Sequence, residues 1–186
     1  MDRNPVWMKF MGRLPVRKAS AFLYFTQDGR VQRLLHQFKY EGRKDVGIFL
    51  SGLFAEDLLA HHWLQTIDII MPLPIHAKKQ RMRGYNQATV IAYALSRASG
   101  LPVVDKTALI KVSQTASQTR KSRLERLQNV QNAFHLRDGK AMKGKHILIV
   151  DDVLTTGATL EACALEVLGA QPSGISLATL AVASDI

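Results

Sequence analysis

The ten residues Val150-Asp151-Asp152-Val153-Leu154-Thr155-Thr156-Gly157-Ala158-Thr159 constrain the fold of this chain more than any other stretch. The run leading into them, His-Ile-Leu-Ile-Val at residues 146–150, is almost continuously aliphatic, as expected of a strand buried on both faces of a parallel sheet. Beyond them Leu160, Ala164, Leu165 and Leu168 recur at helical spacing, and Gly169 stands where that helix should stop. A buried strand that passes through a short turn, residues 154–159, into a helix implies an α/β layering. The turn should emerge at the carboxyl edge of the sheet, where open α/β folds bind ligands.

The residue types in that turn specify a ligand with two different ends. Free amides and the positive end of a helix dipole favour a phosphate. Gly157 and Ala158 allow close backbone approach, and the hydroxyls of Thr155, Thr156 and Thr159 can donate to phosphate oxygens. Asp151 and Asp152 have the opposite chemistry, because an ionised carboxylate only accepts hydrogen bonds and repels a phosphate. They suit the 2′ and 3′ hydroxyls of a ribose, and their charge opposes positive character developing at the anomeric carbon. The segment therefore reads as a ribose-phosphate site, with Val153 and Leu154 included among its substrate-binding residues.

The rest of the chain alternates. Strands are expected at residues 21–25, 67–71, 108–112, 146–150 and 175–182, and helices at 31–40, 48–62 and from Asn86 to Arg97. Such alternation gives right-handed crossovers and a mainly parallel central sheet flanked by helices. With 186 residues, 47% of them hydrophobic, a single domain over residues 21–186 is expected, preceded by a basic segment at 1–20. No stretch reaches the roughly 18 apolar residues of a membrane span, the N-terminus lacks the apolar core of a signal peptide, and a cytoplasmic location is expected. Cys163, the one cysteine, falls on the helix after the turn, where a buried apolar role is expected. The six histidines lack metal-ligand spacing. Gly139 to Lys145 gives the start of a Walker A loop, but His146 replaces the Ser or Thr and a strand follows instead of preceding.

Two basic segments belong with the turn. Lys78, Lys79, Arg81 and Arg83 follow directly on the strand ending at Met71, so they too should leave the carboxyl edge of the sheet. Cations placed there would stabilise a departing pyrophosphate. Residues 113–126 are polar, aperiodic and basic, and read as a mobile loop.

The acidic pair with its Thr/Gly-rich turn resembles the signature of type I phosphoribosyltransferases. Further blocks narrow the resemblance: Phe38-Lys39-Tyr40-Glu41-Gly42, Pro72-Leu73-Pro74, Arg81-Met82-Arg83-Gly84-Tyr85-Asn86-Gln87-Ala88, Gln118 with Arg123, and Asn129-Val130-Gln131-Asn132-Ala133-Phe134. In this order they are similar to the ComF family of competence proteins, from about residue 30 onward. Many members of that family carry a four-cysteine zinc ribbon, which a chain with Cys163 alone cannot build.

The resemblance implies a type I phosphoribosyltransferase fold that binds phosphoribosyl pyrophosphate. Asp151, Asp152 and Arg83 would be catalytic; Arg81, Arg83 and Gly84 would form the pyrophosphate loop, and Gln118 and Arg123 the loop that closes over the site. Magnesium (Mg2+) would arrive with the pyrophosphate, held by substrate oxygens and water, with Asp151 and Asp152 as candidate protein ligands. The reaction would be pentosyl transfer, ribose 5-phosphate passing to a nitrogen acceptor. The alternative is a non-catalytic module that binds phosphoribosyl pyrophosphate or single-stranded DNA and serves competence-machinery proteins. The net charge of +10 is compatible with either polyanion.

Overall fold

Four strands form one parallel sheet, the two central ones buried along almost their whole length. The computed structural model describes residues 4–26, 29–112 and 133–183. The strands are β1 (Val16–Phe25), β2 (Ile69–Pro72), β5 (His146–Leu154) and β6 (Gly174–Ala183), in the order β1-β6-β5-β2. Val103 adds a parallel bridge to Ile70 outside β2. A short antiparallel ribbon, β3 (Leu109–Lys111) with β4 (Phe134–Leu136), stands apart from the sheet. The helices are α1 (Pro5–Met8), α2 (Arg30–Tyr40), α3 (Lys44–Ala60), α4 (Ala77–Arg83), α5 (Gln87–Ser99) and α6 (Ala158–Leu168).

The expectation of a doubly buried central strand holds: Ile147, Leu148, Ile149 and Val150 are all 0% exposed. Because side chains alternate along a strand, Ile147 and Ile149 enter one core and Leu148 and Val150 the other. The first core lies under α6, with Leu160, Cys163 and Val167; the second packs Phe38, Phe54, Leu58, Ile91 and Leu95 from α2, α3 and α5. Asn86 caps α5 as expected, its side chain accepting from the Ala88 amide at 3.1 Å, and Gly100 ends the helix at φ 75°.

Differences from the sequence expectation have local causes. Strand β1 starts at Val16, not at residue 21, because an edge strand pairs through its backbone to β6 while Arg17 and Lys18 leave no apolar run to read. The N-terminal residues are laced onto it: the Trp7 indole donates to the Val16 carbonyl at 3.0 Å and the Asn4 amide to the Ala19 carbonyl at 2.7 Å. Val6, Phe10 and Leu14 are buried in the α6-side core, so the basic segment also contributes core residues. Helix α4 falls where the sequence shows only a basic segment, since it buries no residue and carries no apolar periodicity. His146, a misfit for a Walker loop, instead pins the start of β5. Its ring bridges the Thr66 carbonyl at 2.7 Å and the Ser176 hydroxyl at 2.8 Å, and burial lowers its pKa and so favours the neutral ring.

Candidate functional site

The acidic pair belongs to the strand, not to the turn. Pairing with β6 continues past Val150, Asp151 opposite Thr179 and Leu154 opposite Val182, so the turn contracts to residues 155–157. Consecutive strand residues point to opposite faces. Asp151 therefore lies on the α6 side and Asp152 on the α2 side. Asp152 is 6% exposed and pairs with the Lys39 ammonium of α2 at 3.2 Å. Asp151 accepts from the Asp152 amide at 2.8 Å.

Burial, and then the neighbouring Asp152 charge, push the Asp151 carboxyl up to about 7, while the Asp152 amide, Lys39 and Lys111 act the other way. The folded pKa exceeds the unfolded one, so the folded state holds this proton between pH 4 and 7, roughly, while the unfolded chain has released it. The stability contributed by the protonated form is complete at low pH and is lost as pH rises through that window. Asp151→Asn, which cannot ionise, should gain stability relative to the parent between pH 5 and pH 8, roughly, when urea midpoints are compared. A constant difference across that range would contradict the assignment.

The turn itself leads straight into the start of α6, where the Ala158 amide donates to the Thr156 hydroxyl at 3.4 Å. Thr155 and Thr156 are exposed, and Gly157 is buried at φ 81°, in the left-handed region that glycine tolerates. Its carbonyl accepts the Glu161 amide at 2.9 Å, so the amides of the first turn of α6 precede the helical ladder, as at any helix start. Ala158 and Thr159 are half-buried at that helix start. A Cβ on Gly157 would meet the Phe10 ring at 2.9 Å, which ties the turn's shape to the N-terminal segment. The Glu161 carboxylate is paired with Arg13 of that same segment.

Arg83 and its neighbours form a clamp. The Arg83 guanidinium lies 4.9 Å from the Tyr40 ring centroid and donates to the Tyr40 hydroxyl at 3.2 Å and to the Gln87 side-chain oxygen at 3.1 Å. The Tyr85 hydroxyl donates to the Phe38 carbonyl, and the Gln87 amide reaches the same carbonyl at 3.4 Å. Gly84, at φ 78°, ends α4 and turns the chain into this clamp. Phe38-Lys39-Tyr40 and Arg83-Gly84-Tyr85-Asn86-Gln87, separate in sequence, are one constellation. It holds the end of α2 so that Lys39 faces Asp152.

Arg81 sits exposed on α4. Gln118 and Arg123, and residues 129–132 of the last sequence block, lie outside the described residues. Two cations were missed as site residues. Lys39 had been noted only inside a sequence block, and Lys111, at the end of β3, carried no signal at all. Burial and the nearby Lys79 charge lower the Lys111 pKa, against the pull of Asp151. Among the described residues no cluster of three or more His, Cys, Asp or Glu side chains could hold a metal.

The chain is similar in sequence and in fold to known proteins. Residues 82–185 match the phosphoribosyl transferase domain family. The DNA utilization protein YhgH of Escherichia coli K12 is 34% identical over 130 residues, covering 68% of this chain and 56% of that protein. The chain belongs to the ComF-like phosphoribosyltransferases. Competence protein F of Haemophilus influenzae is 33% identical over 131 residues, 68% of this chain and 57% of its own length. Competence protein ComFC of Bacillus subtilis is 28% identical over 144 residues, 75% and 54%. This ComF-like chain thus spans just over half the length of these curated relatives. Among solved structures, the glutamine phosphoribosylpyrophosphate amidotransferase from B. subtilis, complexed with ADP and GMP, superposes with a TM-score of 0.52 at 18% identity. The match covers 78% of this chain and 30% of that one, and supports the type I phosphoribosyltransferase fold.

Proposed function

We propose that this site binds phosphoribosyl pyrophosphate with Mg2+ and transfers its ribose 5-phosphate to a nitrogen nucleophile, displacing pyrophosphate. The observation that carries the reading is the junction of the acid pair with the Gly157 turn and the first-turn amides of α6, at one edge of the sheet. Asp151 and Asp152 accept from the ribose hydroxyls. The α6 amides with Thr155, Thr156 and Thr159 hold the 5-phosphate. Arg81, with the Gly84 turn, faces the leaving pyrophosphate, and Arg83 is supported by Tyr40 and Gln87. Val153 and Leu154 carry the strand into the turn.

Two carboxylates offer hard oxygen donors that suit Mg2+, which keeps waters and substrate oxygens as its other ligands; when bound it neutralises pyrophosphate charge. Lys39 holds Asp152 in place of such a cation's charge, and gives the pair a counter-ion before ligand arrives. Gln118 and Arg123 are proposed to close over the bound substrate. The reading takes the site to work in the cytoplasm; among the described residues no helix is long and apolar enough to cross a membrane. The names of the relatives, DNA utilization and competence proteins, favour a second reading, in which the domain binds this ligand or single-stranded DNA without catalysis and serves DNA uptake through partner proteins.

Calorimetric titration with phosphoribosyl pyrophosphate and Mg2+ should give saturable binding that Thr156→Ala weakens severalfold. Absence of binding with and without the metal would sink the assignment. Pyrophosphate release across nucleobases, ammonia and simple amines then separates the readings: release with one acceptor establishes transfer, and silence with binding intact favours the module.

A further inference from the structure

A cavity of about 630 Å³ opens beside the acid pair without being lined by it. Its floor is the end of β2 and the start of the turn after it, with Met71, Pro72 and Ile75, and one wall is α5 with Thr89 and Tyr93. The other wall is the segment that leads from Val104 into β3. Neither Asp151, Asp152 nor any residue of the Gly157 turn lines it.

The polar chemistry of this cavity is one-sided. Lys44, Lys106, Lys111 and Arg137 line it against a single carboxylate, Asp105. Asp105 is already committed, accepting from the Thr107 amide at 2.7 Å and from the Thr107 hydroxyl, contacts that lower its pKa. None of the four cations forms an ion pair with a carboxylate among the described residues; Lys44 instead lies 4.9 Å from the Tyr85 ring and Lys111 5.1 Å from the Phe134 ring. Concave, apolar-floored cavities with a few convergent charges are the usual form of small-molecule sites. Here the apolar floor and the 62% exposed Tyr93 ring offer a face for a planar group. Four cations set against one committed carboxylate call for an anion.

We propose that this cavity binds a nucleoside phosphate, its base against Tyr93 and the apolar floor and its phosphate against Lys106, Lys111 and Arg137, at a site that adjoins the acid pair through Lys111. Base stacking on an aromatic face beside backbone-tracking cations serves both free nucleotides and single strands. The shared chemistry is therefore the nucleoside phosphate, and its source is open to direct test. The inference does not rest on the phosphoribosyl pyrophosphate reading.

The test is a fluorescence-detected titration of the whole chain with AMP, GMP, CMP and a short oligothymidylate, with inorganic phosphate as a control. It is repeated for Lys106→Glu, Arg137→Glu and Tyr93→Ala. Each charge reversal should weaken nucleotide binding about tenfold or more, equivalent to the loss of one charge-assisted hydrogen bond. Tyr93→Ala should weaken nucleotides while leaving inorganic phosphate unchanged. Saturation by mononucleotides alone identifies a free nucleotide as the ligand, and preference for the oligomer identifies a strand. The proposal is overturned if nothing binds, if inorganic phosphate binds as tightly as the nucleotides, or if nucleotide binding persists unchanged in both charge reversals. Circular dichroism of the exposed-residue variants Lys106→Glu and Tyr93→Ala guards against reading misfolding as lost affinity.

Discussion

Asp152→Asn should weaken the affinity for phosphoribosyl pyrophosphate by about 10- to 100-fold, the equivalent of roughly 1.5–3 kcal/mol for a hydrogen bond to a charged acceptor. The residue is nearly isosteric, so the loss is one of charge. Asp152 is 6% exposed and, among the described residues, its ionic partner is Lys39, whose side chain is 21% exposed. The substitution therefore also leaves an ammonium without its counter-ion in a largely dry site. A stability loss of about 1–3 kcal/mol is expected, below that of a fully buried broken pair because Lys39 retains some water. The two consequences separate in a double-mutant cycle. Lys39→Met added to Asp152→Asn should restore part of the stability in urea unfolding, because the orphaned charge is gone, without restoring ligand affinity. Wild-type affinity in Asp152→Asn would refute the assignment of this carboxylate to the ribose.

Gly157→Val should lower stability by about 2–4 kcal/mol, or on the order of 5–15 °C in the unfolding midpoint for a chain of this size. Two independent effects add. Gly157 sits at φ 81°, where a side chain is strained by about 1–2 kcal/mol and a β-branched one more. The added Cβ would also lie 2.9 Å from the Phe10 ring, which is 1% exposed and held by the core around it. Phe10→Ala would remove the clash but not the strain, so Gly157→Val should remain destabilising relative to a Phe10→Ala background, by a smaller margin. Since the α6 amides are aimed by this turn, ligand affinity should fall even where the protein stays folded. Thermal unfolding with and without ligand reads both effects, and an unchanged midpoint would contradict the geometry.

The strand, turn and helix around the acid pair were legible because each depends on local chemistry. Four aliphatic residues in succession cannot face water. A glycine between hydroxyl-bearing residues and an apolar-periodic segment marks a helix start. Asn86 and Gly100 bracket α5 for the same kind of reason. Strand β1 was legible only in its second half, because an edge strand shows its polar residues to solvent and Arg17 and Lys18 hide the period. Helix α4 was illegible, since a helix that buries nothing leaves no periodic trace.

By itself the sequence determined which residue types the acid pair and the Gly157 turn bring to the carboxyl edge, and it determined the alternating α/β order through hydrophobic periodicity. Only the tertiary structure decided where the acids point. Pairing with β6 carries the strand through Asp151 and Asp152, which places them on opposite faces, one under α6 and one against α2. It decided too that Lys39, more than a hundred residues earlier, is the counter-ion of Asp152, and that Arg83 is anchored on Tyr40 and Gln87. Such pairings depend on which helix packs over which face, a choice made by the burial of Phe38, Tyr85 and Leu148 in one core. No local pattern records it.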